Sequence, residues 1–177
     1  HPAMKHAIGP RREIGIRTIF NILGPLSNPA GARRGVLGVY HRDLVLAIAR
    51  AATALDVEYL FVVHGHDGLD EITTTSKTAI AEVRGQEINL IDFDPRAHGI
   101  PLAQLADLAG GDPAHNAGLI RAILAGESGP RREIVCLNAA AALVAGGKAG
   151  DFAEGLARAR AAIDEGRAMA KLDALIA

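Results

Sequence analysis

Residues 35–63 constrain the fold more than any other stretch of the chain. GVLGVY at 35–40 is a short apolar run with flanking glycine, which suggests a buried strand. Asp43 stands where it can cap the helix that follows, and Leu44, Ala47, Ile48, Ala51 and Leu55 read as that helix's apolar stripe. YLFVV at 59–63 is aromatic and β-branched without a polar break, the clearest strand signal present. Strand, helix, strand at this spacing implies a right-handed crossover between parallel strands. The expected fold class is α/β, with a largely parallel sheet flanked by helices.

The flanks differ in character. Pro10 suits a first helical turn, and Ile16, Ile19, Phe20 and Leu23 fall on one helical face. Gly24 and Pro25 then stop that helix. A composition shift at PAGARR, residues 29–34, marks a crossover between subdomains. Residues 79–83 and 88–93, separated by RGQE, read as a hairpin or two edge strands. Helices are expected at 102–108, 113–124, 134–144 and 152–176, the last broken near Gly166, with Asp112 as N-cap and Pro113 at the first helical position. The hexapeptide GPRREI occurs at 9–14 and again at 129–134. Its neighbours do not match, so it reads as two helix starts with Pro early and Glu near the positive end.

Composition narrows the classes. Hydrophobic residues make up 49% of the 177 residues but aromatics only 3%, so the core is expected to rest on Ala, Leu, Ile and Val. A net charge of −1 offers no general attraction to nucleic acid or to an anionic membrane. Cys136 is alone, which excludes an internal disulfide and fits a reducing, cytoplasmic setting. No apolar run approaches the roughly 20 residues that span a bilayer.

Among residues that could carry chemistry, Asp70 and Glu71 stand out. Adjacent acids usually mark a solvated turn, but these follow the strongest strand through HGHDGL, near the carboxyl end where open α/β sheets bind ligands. Their hard oxygens suit magnesium, which keeps waters and shares substrate phosphates. Asp67 reads as a turn residue, and His64 and His66 as strand-end and loop histidines, since no zinc spacing accompanies them. Asn138, before an alanine run, reads as helix packing, and Asn89 as an edge-strand polar residue. Arg11 alone would be an exposed helix-start arginine, although its planar fork can meet a carboxylate with two hydrogen bonds. No nucleophile elbow, dinucleotide fingerprint or phosphate-binding P-loop is present.

HPAMKH at 1–6, Arg11, residues 15–29, HGHDGLDE at 64–71, GGDP at 110–113 and LNAAAA at 137–142 together resemble the anthranilate phosphoribosyltransferase family. The resemblance spans essentially the whole chain. It implies that residues 1–29 belong to a small helical domain and 30–177 to the C-terminal part of an α/β catalytic domain. It implies transfer of the phosphoribosyl group from phosphoribosyl pyrophosphate to the anthranilate amine, releasing pyrophosphate, in tryptophan biosynthesis. Arg11 is then expected to hold the anthranilate carboxylate, and His1, Met4 and Gly24 to lie near the acceptor pocket. Asp70 and Glu71 are expected to hold Mg2+ on the pyrophosphate, with no residue acting as general acid or base. The family's glycine-rich phosphate loop has no counterpart in this chain, so a longer parent, dimeric through its helical domain, and an inactive isolated fragment are expected. The alternatives are a pyrimidine nucleoside phosphorylase-like enzyme, told apart by its acceptor, and a non-catalytic nucleic-acid-binding relative. The balance of 19 basic against 20 acidic residues speaks against the last.

Overall fold

The computed structural model describes Leu26 and residues 30–177. The expectations for the opening helices, the stop at Gly24 and Pro25, and the first GPRREI copy fall outside the described residues, as does nearly all of the proposed helical-domain segment.

Strand β1 (Arg34–Gly38) is followed by helix α1 (Asp43–Thr53) and strand β2 (Tyr59–Gly65). β1 and β2 pair in parallel, with Arg34 opposite Tyr59 and Gly38 opposite Val63. The strand–helix–strand unit is therefore present, but α1 differs from expectation in two details. Arg42 occupies the N-cap without a side-chain cap, and Asp43 lies in the first turn, where its charge favours the positive helix end. The buried face is Val45, Ile48, Ala49 and Ala52. Both this set and the expected one have helical spacing and share Ile48. The helix ends at Thr53, so Leu55 falls beyond it and stays 48% exposed.

β2 explains the architecture. Side chains alternate across a strand, and here both faces are covered. Leu60 and Val62 pack with Val45, Ile48 and Ala52 of α1. Phe61 and Val63 point the other way, into a cluster with Leu137, Ala140 and Leu156. Phe61 is 1% exposed and Val62 0%, which is why this strand tolerates no polar residue in its centre.

The sheet is mostly antiparallel, which corrects the expectation of a largely parallel one. Strands β3 (Thr78–Arg84) and β4 (Glu87–Phe93) complete a four-stranded sheet in the order β1-β2-β3-β4. Both the β2–β3 and β3–β4 pairings are antiparallel. A parallel neighbour needs a crossover that carries the chain back along the strand. Only α1 provides one. The segment between β2 and β3 contains no helix, and β3 turns straight into β4 through Gly85 and Gln86.

The remainder is helical. Helices α2 (Pro113–Leu124), α3 (Pro130–Ala145), α4 (Phe152–Asp164) and α5 (Arg167–Ile176) follow two 3-10 turns at Pro95–His98 and Leu105–Leu108. The expected helix at 102–108 is only the second of these turns. Leu102 and Leu105 are 46% and 53% exposed, so no apolar face is buried there to sustain a longer helix. Asp112 caps α2 as expected, accepting from His115 N at 2.8 Å. α3 starts earlier than expected, at Pro130, so the second GPRREI copy is a helix start.

α3 lies between sheet and α4. Ala140 and Ala141 are fully buried, and a Cβ on Gly155 of α4 would come within 2.9 Å of the Ala140 carbonyl oxygen. The two helices thus meet backbone to backbone. The few aromatics are concentrated beside them, with Phe152 packing 4.9 Å from Phe93 and 5.5 Å from Phe61 between ring centroids. Replacing Gly155 by valine is expected to push α4 away and destabilise the fold by about 1–3 kcal/mol. Urea denaturation would register this as a lower midpoint with an unchanged slope.

Candidate functional site

The β2–β3 connection, residues 66–77, crosses the carboxyl ends of β1 and β2. It leaves the sheet with one more ladder bond, His66 N to Lys77 O at 2.9 Å, and then tightens as Gly65 N donates to Leu69 O at 2.8 Å. Asp67 sits inside this knot. Its carboxylate accepts from Leu69 N at 3.1 Å, from the Thr73 hydroxyl at 2.6 Å and from the Thr75 hydroxyl. Thr73 N donates in turn to Thr78 Oγ1 at 3.0 Å, which ties the loop to the start of β3. Asp67 is a turn residue, as its sequence context implies, but one that also organises the hydroxyl run behind the acidic doublet.

Asp70 and Glu71 leave the loop next, both exposed. The Asp70 backbone rests on the end of β1. A Cβ built on Gly38 would fall 1.7 Å from the Asp70 carbonyl oxygen, so no other residue fits at Gly38 without moving the loop. On the far side, Ile72 is 0% exposed and both its backbone groups are bound by Asn138 of α3. The doublet therefore projects between two fixed peptides.

Charge in this loop is arranged in two ways. Burial works to raise the Asp67 carboxyl, but the hydrogen bonds from Thr73, Thr75 and Leu69 N outweigh it and hold the group below the usual carboxylate range. Its stabilising contribution is complete above the unfolded pKa and is lost as pH falls through the lower folded value. Although Glu71 reaches solvent, its carboxyl is shifted upward, first by partial desolvation against the loop and then by the neighbouring Asp70 charge. Folding therefore favours protonated Glu71, a contribution complete below the unfolded pKa and lost as pH rises through the folded one. At neutral pH the doublet holds two like charges in mutual repulsion, a situation that a bound cation relieves.

Among the described residues, no three His, Cys, Asp or Glu side chains gather as a metal cage. Two carboxylates without a cage suit magnesium, whose remaining positions go to waters and phosphate oxygens, and do not suit a structural zinc. The histidines are engaged elsewhere. His64 is buried and bonds through Nδ1 to Val39 O at 2.7 Å, joining β2 to the end of β1. His66 Nε2 lies 3.3 Å from Asp92 Oδ1, and Lys77 reaches the other Asp92 oxygen at 2.8 Å. Cys136 is fully buried and burial pushes its thiol up, which leaves it a packing residue.

Beside the doublet, a hollow of about 350 Å³ is lined by Glu71, Leu69, Asn116, Arg131 and Ile134. Arg131 donates to Ala109 O at 2.9 Å. Arg11, His1, Met4 and Gly24 lie outside the described residues. Sequence reasoning missed Gly38 as the floor of the loop and read Asn138 only as helix packing. The run of hydroxyls at 73–76 was the one local sign that the acidic doublet has a built support.

A family model described as glycosyl transferase family, a/b domain, matches residues 1–169. Anthranilate phosphoribosyltransferase from Syntrophotalea carbinolica is 58% identical over 99% of this chain and 50% of its own length. Among solved structures, anthranilate phosphoribosyltransferase from Thermus thermophilus superposes with a TM-score of 0.88 at 40% identity, covering 98% of this chain and 51% of that one. The Saccharomyces cerevisiae enzyme in complex with PRPP and Mg gives 0.85 at 28% identity, covering 98% and 50%. The chain spans about half the length of the curated relatives it matches. With a match running over nearly all its residues, this chain belongs to the glycosyl transferase family, a/b domain.

Proposed function

We propose that the chain forms the C-terminal half of an anthranilate phosphoribosyltransferase and carries the part of its site that handles the leaving group. The observation that carries the reading is the acidic doublet held at the carboxyl ends of two parallel strands, Asp70 against Gly38 and Glu71 beside the clamped Ile72. In the reaction, the anthranilate amine attacks the anomeric carbon of phosphoribosyl pyrophosphate and pyrophosphate departs. Such a step asks little of a protein base and much of orientation and charge neutralisation. Asp70 and Glu71 hold Mg2+, which supplies positive charge to the departing pyrophosphate. Arg11 orients anthranilate through its carboxylate, and His1, Met4 and Gly24 border the acceptor. The full-length protein is a homodimer acting on small molecules in the cytoplasm. The names of the relatives support this reading, as does the yeast enzyme's complex with PRPP and Mg. Among the described residues, no helix is long and apolar enough to cross a membrane.

Steady-state kinetics on the full-length protein separate the roles. Arg11→Ala is expected to raise the KM for anthranilate about 10- to 100-fold, the loss of a charge-assisted pair, with a smaller change in kcat. Glu71→Gln is expected to lower kcat by about 100-fold and to flatten the Mg2+ response. Small, equal effects of both changes on both parameters would remove the basis for these assignments.

Acid provides a second test. Protonated Glu71 does not ligate, so Mg2+ binding is expected to weaken on acidification, starting at a higher pH than an unshifted glutamate in the same place would show, in line with the upward shift of this group. Asp70→Asn removes the neighbouring charge and is expected to move Glu71 back toward its usual value, with burial keeping it above. Carboxyl 13C titration follows both groups directly, and an unmoved Glu71 would show that the two carboxylates do not face each other.

A further inference from the structure

The acidic doublet is placed by a side chain that never touches it. Asn138 stands on α3, and its Oδ1 accepts from Ile72 N at 3.0 Å while Nδ2 donates to Ile72 O at 2.8 Å. Nδ2 also donates to Ile134 O, one turn back on α3, at 3.0 Å. The amide thus spends both its donors and one acceptor, and Ile72 is paired on both backbone groups as it would be by a neighbouring strand. Aspartate lacks the donor for this arrangement, and a single hydroxyl cannot span both groups. The Ile72 side chain is buried among Val63, Ile80 and Leu137, so the residue cannot turn to find water instead.

The position of this clamp gives it a consequence for the site. Ile72 directly follows Glu71, and the peptide between them is the one whose N–H Asn138 binds. On the other side, the Asp70 carbonyl is seated on Gly38 with no space to shift inward. Asp67 closes the knot behind them through Leu69 N, Thr73 and Thr75. Fixed peptides on both flanks hold the backbone from which the two carboxylates extend, and an octahedral ion requires ligands that are placed reproducibly. Displacement of about 1 Å in such a site can cost on the order of 100-fold in rate.

We propose that Asn138 is a positioning residue for the metal site, holding Ile72 so that Asp70 and Glu71 present their carboxylates to one divalent ion. This rests on the reading of the doublet as the magnesium ligands. Its neighbours serve other contacts: Leu137 shares the core cluster with the Ile72 side chain, while Ala140 meets Gly155 of α4, so within this run the polar link to the loop backbone is made by Asn138.

Mn2+ alone, titrated into the full-length protein and followed by paramagnetic broadening of the amides of residues 69–72, tests the proposal together with hydrogen exchange at Ile72. For Asn138→Ala, Mn2+ affinity is expected to fall at least fivefold and Ile72 exchange to quicken at least tenfold, with the far-UV spectrum retained. Asn89→Ala, on the outer strand, is expected to change neither. Asn138→Gln keeps an amide in the cavity but carries it one methylene too far. It is expected to show the same loss and serves if the alanine variant does not fold. A folded Asn138 variant with unaltered Mn2+ affinity overturns the positioning role, even if Ile72 exchange has quickened. Absence of broadening at residues 70 and 71 in the unaltered full-length protein overturns the metal reading itself, and the proposal with it, and that result is read before any variant is made.

Discussion

Everything in this fold follows from the burial of one strand on both faces. β2 presents Leu60 and Val62 to α1 and Phe61 and Val63 to α3, so helices must cover the sheet on both sides. Burying each such side chain contributes roughly 1.5–3 kcal/mol. That requirement fixes α1 on one side and draws the α3–α4 pair to the other, where Gly155 and the alanines of α3 allow close approach. It also leaves the carboxyl end of β2 as the place where a rigid strand passes abruptly into a polar loop.

That passage is where structure becomes chemistry. A parallel sheet continued by another crossover would have sent the chain away through a helix. Here the chain reverses instead, and the residues between β2 and β3 are laid across the ends of β1 and β2. The reversal is built from polar bonds, with Asp67 gathering two threonine hydroxyls and a backbone N–H. It leaves the next two acids, Asp70 and Glu71, exposed on a backbone anchored at both flanks.

How much of this is legible in advance differs from residue to residue. The parallel pair β1–β2, the β3–β4 hairpin, the Asp112 cap and the break at Gly166 all rest on local patterns, and the structure contains each of them. Periodicity picks the wrong buried face for α1 because two overlapping stripes share Ile48, and only the sheet beneath selects between them. The expectation of a parallel sheet extends one genuine crossover to strands that have none. At the site, Asp70 and Glu71 are legible because a doublet after a strong strand is a local pattern. Asn138 and Gly38 are not, since their meaning lies in what they touch.

Local sequence is enough to read an apolar strand that must be buried, a helix break at Gly166, and two carboxylates just past a strand's end. Those are consequences of side-chain and backbone preferences acting within a few residues. The direction of β3, the buried face of α1 and the support of the doublet are set by packing instead. Each depends on contacts between distant positions, such as Asn138 with Ile72 across 66 residues, whose geometry exists only once the layers have packed.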